Sequence, residues 1–362
     1  MGLRPDTAER LARLRGDLRM GVPVVLSGGG ESVLVLAVES MSEERFNEIC
    51  RHSQPSLAIT ARRAETLHAR AYDGDLARLK LPDDASFIWC KSVVDPARDM
   101  DQPMKGPFHS LRDGNAELHR AAIALCKQAR LLPAALVAQI SDGRGLSADN
   151  ELNWFEITDA DGVSPVSSSM QLVAAAKLPL EVAEAGKLHV FRPQDGGEEH
   201  YAVEIGQPPR QKPVLARLHS ACFTGDLIGS LKCDCGAQLR AALGQIGNEG
   251  SGVLLYLNQE GRGIGLANKM RAYSLQNQGF DTVEANHRLG FEDDERDLRI
   301  GAELLKSLGF TATRLMTNNP RKVEMMGKAG IEVIERVPLI VGENRHNAAY
   351  LATKAAKSGH LL

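Results

Sequence analysis

The chain has 362 residues and a formal net charge of -3 at pH 7, so no global positive field exists to hold a nucleic-acid backbone. Hydrophobic residues make up 43% and charged residues 25%, an ordinary balance for a soluble protein. No apolar run approaches the ~20 residues of a membrane-spanning helix, which argues against a membrane partner.

At ~150 residues per domain the length predicts two domains. The N-terminus, MGLRPDTAERLARLRGDLRMG, lacks the continuous apolar core of a secretory signal, so a cytoplasmic location is expected. The same stretch predicts an amphipathic helix with Leu11, Leu14 and Leu18 on one side. Residues 8–40 read as helix, then the strand VPVVLS, the Gly-rich turn at Gly28–Gly30 and the strand SVLVLAVE. Residues 42–52 predict a helix and PSLAITA a short strand. Residues 115–131 predict a strong helix with Asn115 as its cap, and AALVAQIS a strand after it. This alternation predicts an α/β or α+β domain over residues 1–168.

The second domain, 169–362, begins β-rich with KLHVFRP, HYAVEIG and VLARLHS, broken by the polar loop QDGGEEH. A helix over AQLRAALGQIG, the strand VLLYLN and the loop QEGRGIG follow. Helices are expected over 266–278, from about Asp293 to Leu308, and through Lys322–Lys328, with TRLMTN and IEVIERV as strands. The pattern predicts helices packed around a mixed sheet.

Six cysteines divide into two groups. Cys50, Cys90 and Cys126 are isolated in apolar surroundings and are expected as buried free thiols. Cys222, Cys233 and Cys235 lie within fourteen residues of one another, and without a secretion signal such a cluster points to a metal or to catalysis. Three thiolates plus an open position suit a catalytic zinc, whereas a fourth ligand such as His219 would make the site structural. Asp234 between two of the thiols fits a loop better than a core strand, and Gly236 can take backbone angles closed to other residues.

Three further stretches carry chemistry. The glycines of QEGRGIG allow a phosphate to approach the backbone before a helix, and Arg262 adds a planar charge. FEDDERDLR packs acids at an expected helix N-terminus, where the dipole favours them; Asp294 and Arg296 could pair within it. In TNNPRKVE, Thr317 and Lys322 could face a ligand, or merely sit on a capped surface helix. Tyr273 fits core packing as well as a site.

Taken in order, RLHSACFTGDLIGSLKCDCG, QEGRGIGLANKMRAYSLQNQGFDTVEAN, LGFEDDERD, TNNPRK and VPLIVGEN strongly resemble GTP cyclohydrolase II over roughly residues 170–362. The resemblance implies a zinc- and magnesium-dependent hydrolase at the entrance of riboflavin biosynthesis. Its reaction opens the imidazole ring of GTP and releases formate and pyrophosphate. The product is 2,5-diamino-6-ribosylamino-4(3H)-pyrimidinone 5′-phosphate. By this resemblance Cys222, Cys233 and Cys235 hold Zn²⁺, and Mg²⁺ accompanies the triphosphate. Asp294 falls on the proton acceptor, Arg296 on the group at the α-phosphate, as nucleophile or electrostatic clamp, and Tyr273 on the active-site tyrosine. Substrate contacts fall on Arg217, Leu218, His219, Ser220, Ala221, Gln238, Glu260, Gly261, Arg262, Thr282, Thr317 and Lys322. A homodimer is expected. Ala221, Lys232 and Asn258 depart from residues common in the family, which leaves room for a paralogue acting on another nucleotide. A non-catalytic nucleotide-binding zinc protein is the third reading.

Residues 8–165 resemble a 3,4-dihydroxy-2-butanone 4-phosphate synthase domain in layout. That family needs an acidic, arginine-containing loop after the first strand, where SGGGESV offers Glu31 alone. Its Gly-His-Thr-Glu element stands here as Gly114, Asn115, Ala116 and Glu117. The expectation is a degenerate, inactive synthase domain with a structural role.

Overall fold

The computed structural model describes residues 2–158, 169–339 and 341. Within that span the chain forms two compact units, Met1–Val166 with Ala267–Glu295, and Ser167–Leu266 with Arg296–Leu362. The expected domain over 169–362 thus contributes its segment Ala267–Glu295 to the first unit. The expected domain end near residue 168, and residues 340 and 342–344 of VPLIVGEN, lie outside the described residues.

Leu11, Leu14 and Leu18 recur at helical spacing, and α1 (Thr7–Arg19) buries all three. A reciprocal Asp6–Glu9 capping box starts it. Two strands follow, β1 (Val24–Gly28) and β2 (Glu31–Ala37), paired antiparallel in register Gly28↔Glu31. Only Gly29 and Gly30 join them, at φ 61° and 83°, angles that a two-residue hairpin turn demands at both positions. The remaining elements of this stretch are α2 (Glu43–His52), β3 (Ser56–Thr60), α3 (Ala61–Thr66), β4 (Leu76–Lys80), α4 (Phe87–Val94), β5 (His109–Ser110), α5 (Glu117–Gln128), β6 (Ala134–Ile140), α6 (Gly143–Asp149) and β7 (Trp154–Glu156). The sheet order is β5-β4-β3-β6-β2-β1-β7. Every pair is antiparallel except β1 with β7, so the sheet is mixed. Leu18, Val35, Leu125 and Val137 belong to one buried cluster that joins α1 and α5 to the strands.

Two details differ from expectation. Cys90 and Cys126 are buried, but Cys50 is exposed, because Phe46 and Ile49 supply the buried side of α2. The helix α5 is capped at Ala116 without a side-chain cap; Asn115 Oδ1 instead accepts from the Glu117 amide at 2.8 Å.

The second sheet comprises β8 (Met170–Lys177), β9 (Gly186–Pro193), β10 (His200–Ile205), β11 (Val214–Ser220), β12 (Gly252–Leu257), β13 (Ala312–Met316) and β14 (Glu332–Val337). Their order is β14-β13-β11-β12-β10-β9-β8. The first four are parallel and the rest antiparallel, which gives the expected mixed sheet. Helices α7 (Cys235–Glu249), α10 (Arg299–Ser307) and α11 (Pro320–Lys328) cover this sheet; α8 (Leu266–Asn277) and α9 (Thr282–Arg288) lie between them in sequence. Along β12, Val253, Leu255 and Leu257 cluster with Leu304 and Met326, while Leu254 clusters with Ala242 and Ile246. Both faces are therefore buried, which is why VLLYL reads as one apolar run.

The helix expected from about Asp293 begins only at Arg299. The acids of 292–295 are therefore not its first turn, and compensation of its dipole does not explain them. They have partners in the first unit instead: Glu292 with Arg62, Asp293 with His287, and Glu295 with Lys127.

Candidate functional site

The parallel strands β11, β12 and β13 end together on one edge of the second sheet, where open α/β sheets hold ligands. Cys222 lies two residues beyond the end of β11, and Cys235 is the first residue of α7. The sulfurs of Cys222, Cys233 and Cys235 lie within 4.8 Å of one another, with Cys222 and Cys233 at 3.6 Å. A tetrahedral zinc with Zn–S of ~2.3 Å would set sulfurs roughly 3.8 Å apart, close to this spacing. A Cβ on Gly225 would lie 2.7 Å from Cys233 Sγ and 3.1 Å from Cys222 Sγ, so the bare glycine leaves the thiols their room. Gly225 N–H also donates to Cys222 Sγ at 3.4 Å.

Hydrogen bonding with Cys222 holds the Cys233 thiol above its ordinary range, and Cys222 and Cys233 push Cys235 well above it. Sulfurs crowded in this way become thiolates together when a cation compensates them, and the positive end of α7 at Cys235 favours that state. The soft donor set and the cradle fit zinc. Among the described residues the group contains no fourth ligand.

His219, the sequence candidate for that fourth ligand, is directed elsewhere. Its Nε2 meets Asp226 Oδ2 at 2.9 Å, and its ring stacks on Tyr256 at 5.5 Å. The same carboxylate oxygen accepts from the Cys222 amide at 2.9 Å and from the Tyr256 hydroxyl at 3.0 Å. Asp226 is thus a buried node that fixes the backbone of the first thiol. Burial lowers the His219 pKa, against the opposing pull of Asp226. Burial, with Asp226 adding to it, raises that of Tyr256.

Several sequence-selected residues gather around this centre. Arg217, 7% exposed, donates from a terminal nitrogen to Gln238 Oε1 at 2.5 Å, and Gln238 Nε2 donates to Asp234 Oδ2 at 2.5 Å. Asp234, expected in a loop, is buried as the residue before α7. Burial lowers the Arg217 pKa to about 10, and its Nε has no hydrogen-bond partner among the described residues. Lys322 is buried, with its Nζ donating to the Leu218 carbonyl at 3.0 Å. Thr317 is buried, and its Oγ1 accepts from the Asn319 amide at 3.0 Å. Arg296 donates to Ser220 Oγ at 3.1 Å, and Ala221 N–H to the Leu257 carbonyl at 2.8 Å. Glu260 Oε2 accepts from the Phe223 amide at 2.6 Å, which ties the QEGRGIG turn to the residue after Cys222. Gly261 and Arg262 both adopt left-handed angles, φ 64° and 61°. For arginine that conformation is uncommon, and such outliers gather where ligands bind.

A family model described as GTP cyclohydrolase II matches residues 170–338. A GTP cyclohydrolase-2 of Azospirillum brasilense is 44% identical over 358 residues, 97% of this chain and 93% of the relative. The chain belongs to the GTP cyclohydrolase II family. By that membership it is an enzyme and a hydrolase. A GTP cyclohydrolase-2 of Escherichia fergusonii is 58% identical over 195 residues, which are 98% of that relative but 53% of this chain. A solved two-domain 3,4-dihydroxy-2-butanone 4-phosphate synthase from A. baumannii is 17% identical with a TM-score of 0.33, covering 85% of this chain and 93% of that one.

The part of the chain matched by the GTP cyclohydrolase II family model is shared between the two units. Arg217–Ala221, the three cysteines, Gln238, Glu260–Arg262, Arg296, Thr317 and Lys322 lie in the second. Tyr273, Thr282 and Asp294 lie in the first. There Tyr273 is half-buried beneath the Lys269 ammonium, 5.7 Å from its ring centre. Thr282 opens α9 and accepts from Gln276 Nε2 at 3.1 Å; Asp294 is exposed. Sequence reasoning missed Gly225, Asp226 and Tyr256. The signal for the first two was adjacency: both follow Cys222 within four residues.

Proposed function

We propose that the chain hydrolyses GTP to 2,5-diamino-6-ribosylamino-4(3H)-pyrimidinone 5′-phosphate, formate and pyrophosphate, the first step of riboflavin biosynthesis. The observation that carries the reading is the three-thiol cradle at the strand ends, two of its cysteines buried and the third half-buried, in a chain 44% identical over 97% of its length to a GTP cyclohydrolase-2. Cys222, Cys233 and Cys235 would hold zinc, which when bound acts as a Lewis acid and makes water a usable nucleophile near neutral pH.

The chain's own groups do the remainder. Arg217, Arg262 and Lys322 supply cations for a triphosphate that arrives with Mg²⁺. Burial of Arg217 and Lys322 strengthens their attraction for the anion, because little water screens them. Arg296, steadied by Ser220, acts as an electrostatic clamp on the α-phosphate; a guanidinium stays protonated in nearly every setting, which disfavours a covalent role. Asp294 accepts a proton, and Tyr273 contributes a hydroxyl. Leu218, His219, Ala221, Gln238, Glu260, Gly261, Thr282 and Thr317 complete the substrate contacts. The enzyme works as a cytoplasmic homodimer, and residues 1–168 are inactive as a synthase.

The test is incubation of the zinc-loaded protein with GTP and Mg²⁺, following formate, pyrophosphate and the diaminopyrimidinone chromophore together. All three products are expected, and Cys233→Ser is expected to abolish formate release. GTP that binds but stays intact would overturn the reading.

A further inference from the structure

The segment Ala267–Glu295 belongs to the stretch matched by the cyclohydrolase family model, yet it packs with the N-terminal residues. Its last turn is seated closely. A Cβ on Gly290 would lie 2.9 Å from both Pro133 Cγ and Thr60 Oγ1, and Thr60 Oγ1 donates to the Gly290 carbonyl at 2.8 Å. Phe291 next to it is 1% exposed. Beyond Phe291, Glu292 and Glu295 bracket Asp293 and Asp294; the two glutamates each meet a cation from the N-terminal part, and Asp293 meets His287.

Arg62 on α3 grips Glu292 through two nitrogens, Nε at 3.2 and 3.1 Å from the two oxygens and a terminal nitrogen at 2.9 Å. Its hydrogen bonds hold the Glu292 carboxyl below the usual carboxylate range. Lys127 on α5 reaches Glu295 Oε1 at 2.6 Å, and the same oxygen accepts from the Glu292 amide at 2.9 Å. The Lys127–Glu295 pair is only about a quarter exposed on each side, so solvent and salt screen it less than the Arg62 pair.

We infer that Arg62 and Lys127 are positioning residues for the cyclohydrolase reaction, clamping Glu292 and Glu295 so that the exposed Asp294 between them is presented in one place. This rests on the reading of Asp294 as proton acceptor. Both cations lie outside the matched residues 170–338, whereas Glu292, Asp294 and Glu295 lie inside them. The E. fergusonii GTP cyclohydrolase-2, matched over 98% of its own length by 53% of this chain, leaves no room for a comparable N-terminal half. The clamp therefore tunes turnover in this chain and is not a requirement of the chemistry. A degenerate synthase-like domain thereby keeps a task that needs none of its own catalytic groups.

The experiment uses the full-length zinc-loaded protein. Arg62→Ala, Lys127→Ala, the double variant and Asp294→Asn are compared for zinc content, melting temperature, and kcat and KM for GTP from formate release. The double variant is expected to keep its zinc and its KM, while kcat falls about five- to tenfold, the scale of a lost orientation rather than a lost group. Should that variant melt early, the exchange Arg62→Glu/Glu292→Arg decides. Turnover recovered well above that of Arg62→Glu alone supports the clamp; equal loss overturns it. Wild-type kcat in the double variant, with Asp294→Asn inactive, overturns the clamp alone. Full activity in Asp294→Asn overturns the reading of Asp294 and the clamp with it.

Discussion

Asp226 illustrates how one buried carboxylate can fix the backbone of a candidate metal site of which it is not a member. A single oxygen collects the Cys222 amide, the His219 ring and the Tyr256 hydroxyl, so the backbone at the first thiol is fixed from three sides. Loss of such outer partners typically costs ~10- to 100-fold in metal affinity. Asp226→Ala is expected to fall in that range in a chelator-competition titration, while the protein retains its fold. Unchanged zinc affinity would reduce Asp226 to a packing residue. The three thiols were legible because metal chemistry needs particular side chains at close spacing, and all three lie within fourteen residues. The Asp226 node was not legible as a unit: Tyr256 is thirty residues further along the chain than Asp226 and comes from the neighbouring strand. His219 shows the same limit, since its spacing from Cys222 is compatible with ligation and only the fold turns it to Asp226.

At the scale of elements, α1 and the strands β11 and β12 follow their apolar patterns closely, because burial of one face or both leaves a regular pattern, whereas β8 is apolar yet largely exposed. The acidic run 292–295 misled for a physical reason. Acids at a helix start satisfy the dipole, but here Glu292 and Glu295 meet cations 230 and 168 residues earlier, Asp293 meets His287, and the helix waits until Arg299. The helix α9 carried a readable Asp281–Glu284 capping box, yet its seven residues offer too few turns for periodicity to register. The helix α5 makes a testable contribution of its own. Its His119 packs on β3, with Nε2 2.9 Å from Ser56 Oγ. Burial, and secondarily the Arg78 charge, lower the His119 pKa from 6.5 to about 4. As pH falls, the unfolded chain takes up this proton first, so the stability held by neutral His119 is complete above pH 6.5 and is lost progressively toward pH 4. Denaturant midpoints should therefore fall between pH 7 and pH 4.5 in the wild type and fall less steeply in His119→Gln. Parallel slopes in the two proteins would show that His119 is not buried in its neutral form.

Across the whole molecule, the first half forms a sheet and core of its own, and the proposal that it is inactive as a synthase rests on two positions where its resemblance to that family would place chemistry. Where a synthase would need a loop rich in carboxylates, β1 and β2 are joined through Gly29 and Gly30 alone. Glu31 follows as an exposed strand residue, fixed in register opposite Gly28. A two-residue turn of this kind has no slack with which to gather side chains around a cation, and one carboxylate is a poor magnesium site in any case. At the second position, where the resemblance would place a histidine, stands Asn115, which cannot move a proton near neutral pH. Its amide is already engaged: Nδ2 donates to Glu117 Oε2 at 3.1 Å while Oδ1 holds the Glu117 amide. Glu117 is thus occupied by its neighbour rather than presented to a substrate. The purified protein, supplied with ribulose 5-phosphate and Mg²⁺, is expected to form no 3,4-dihydroxy-2-butanone 4-phosphate and no formate. Glu31→Ala and Glu117→Ala should accordingly leave turnover of GTP unchanged. Formate from the sugar phosphate, lost in Glu31→Ala, would show instead that the shortened hairpin still supports the chemistry, and that this chain carries two activities.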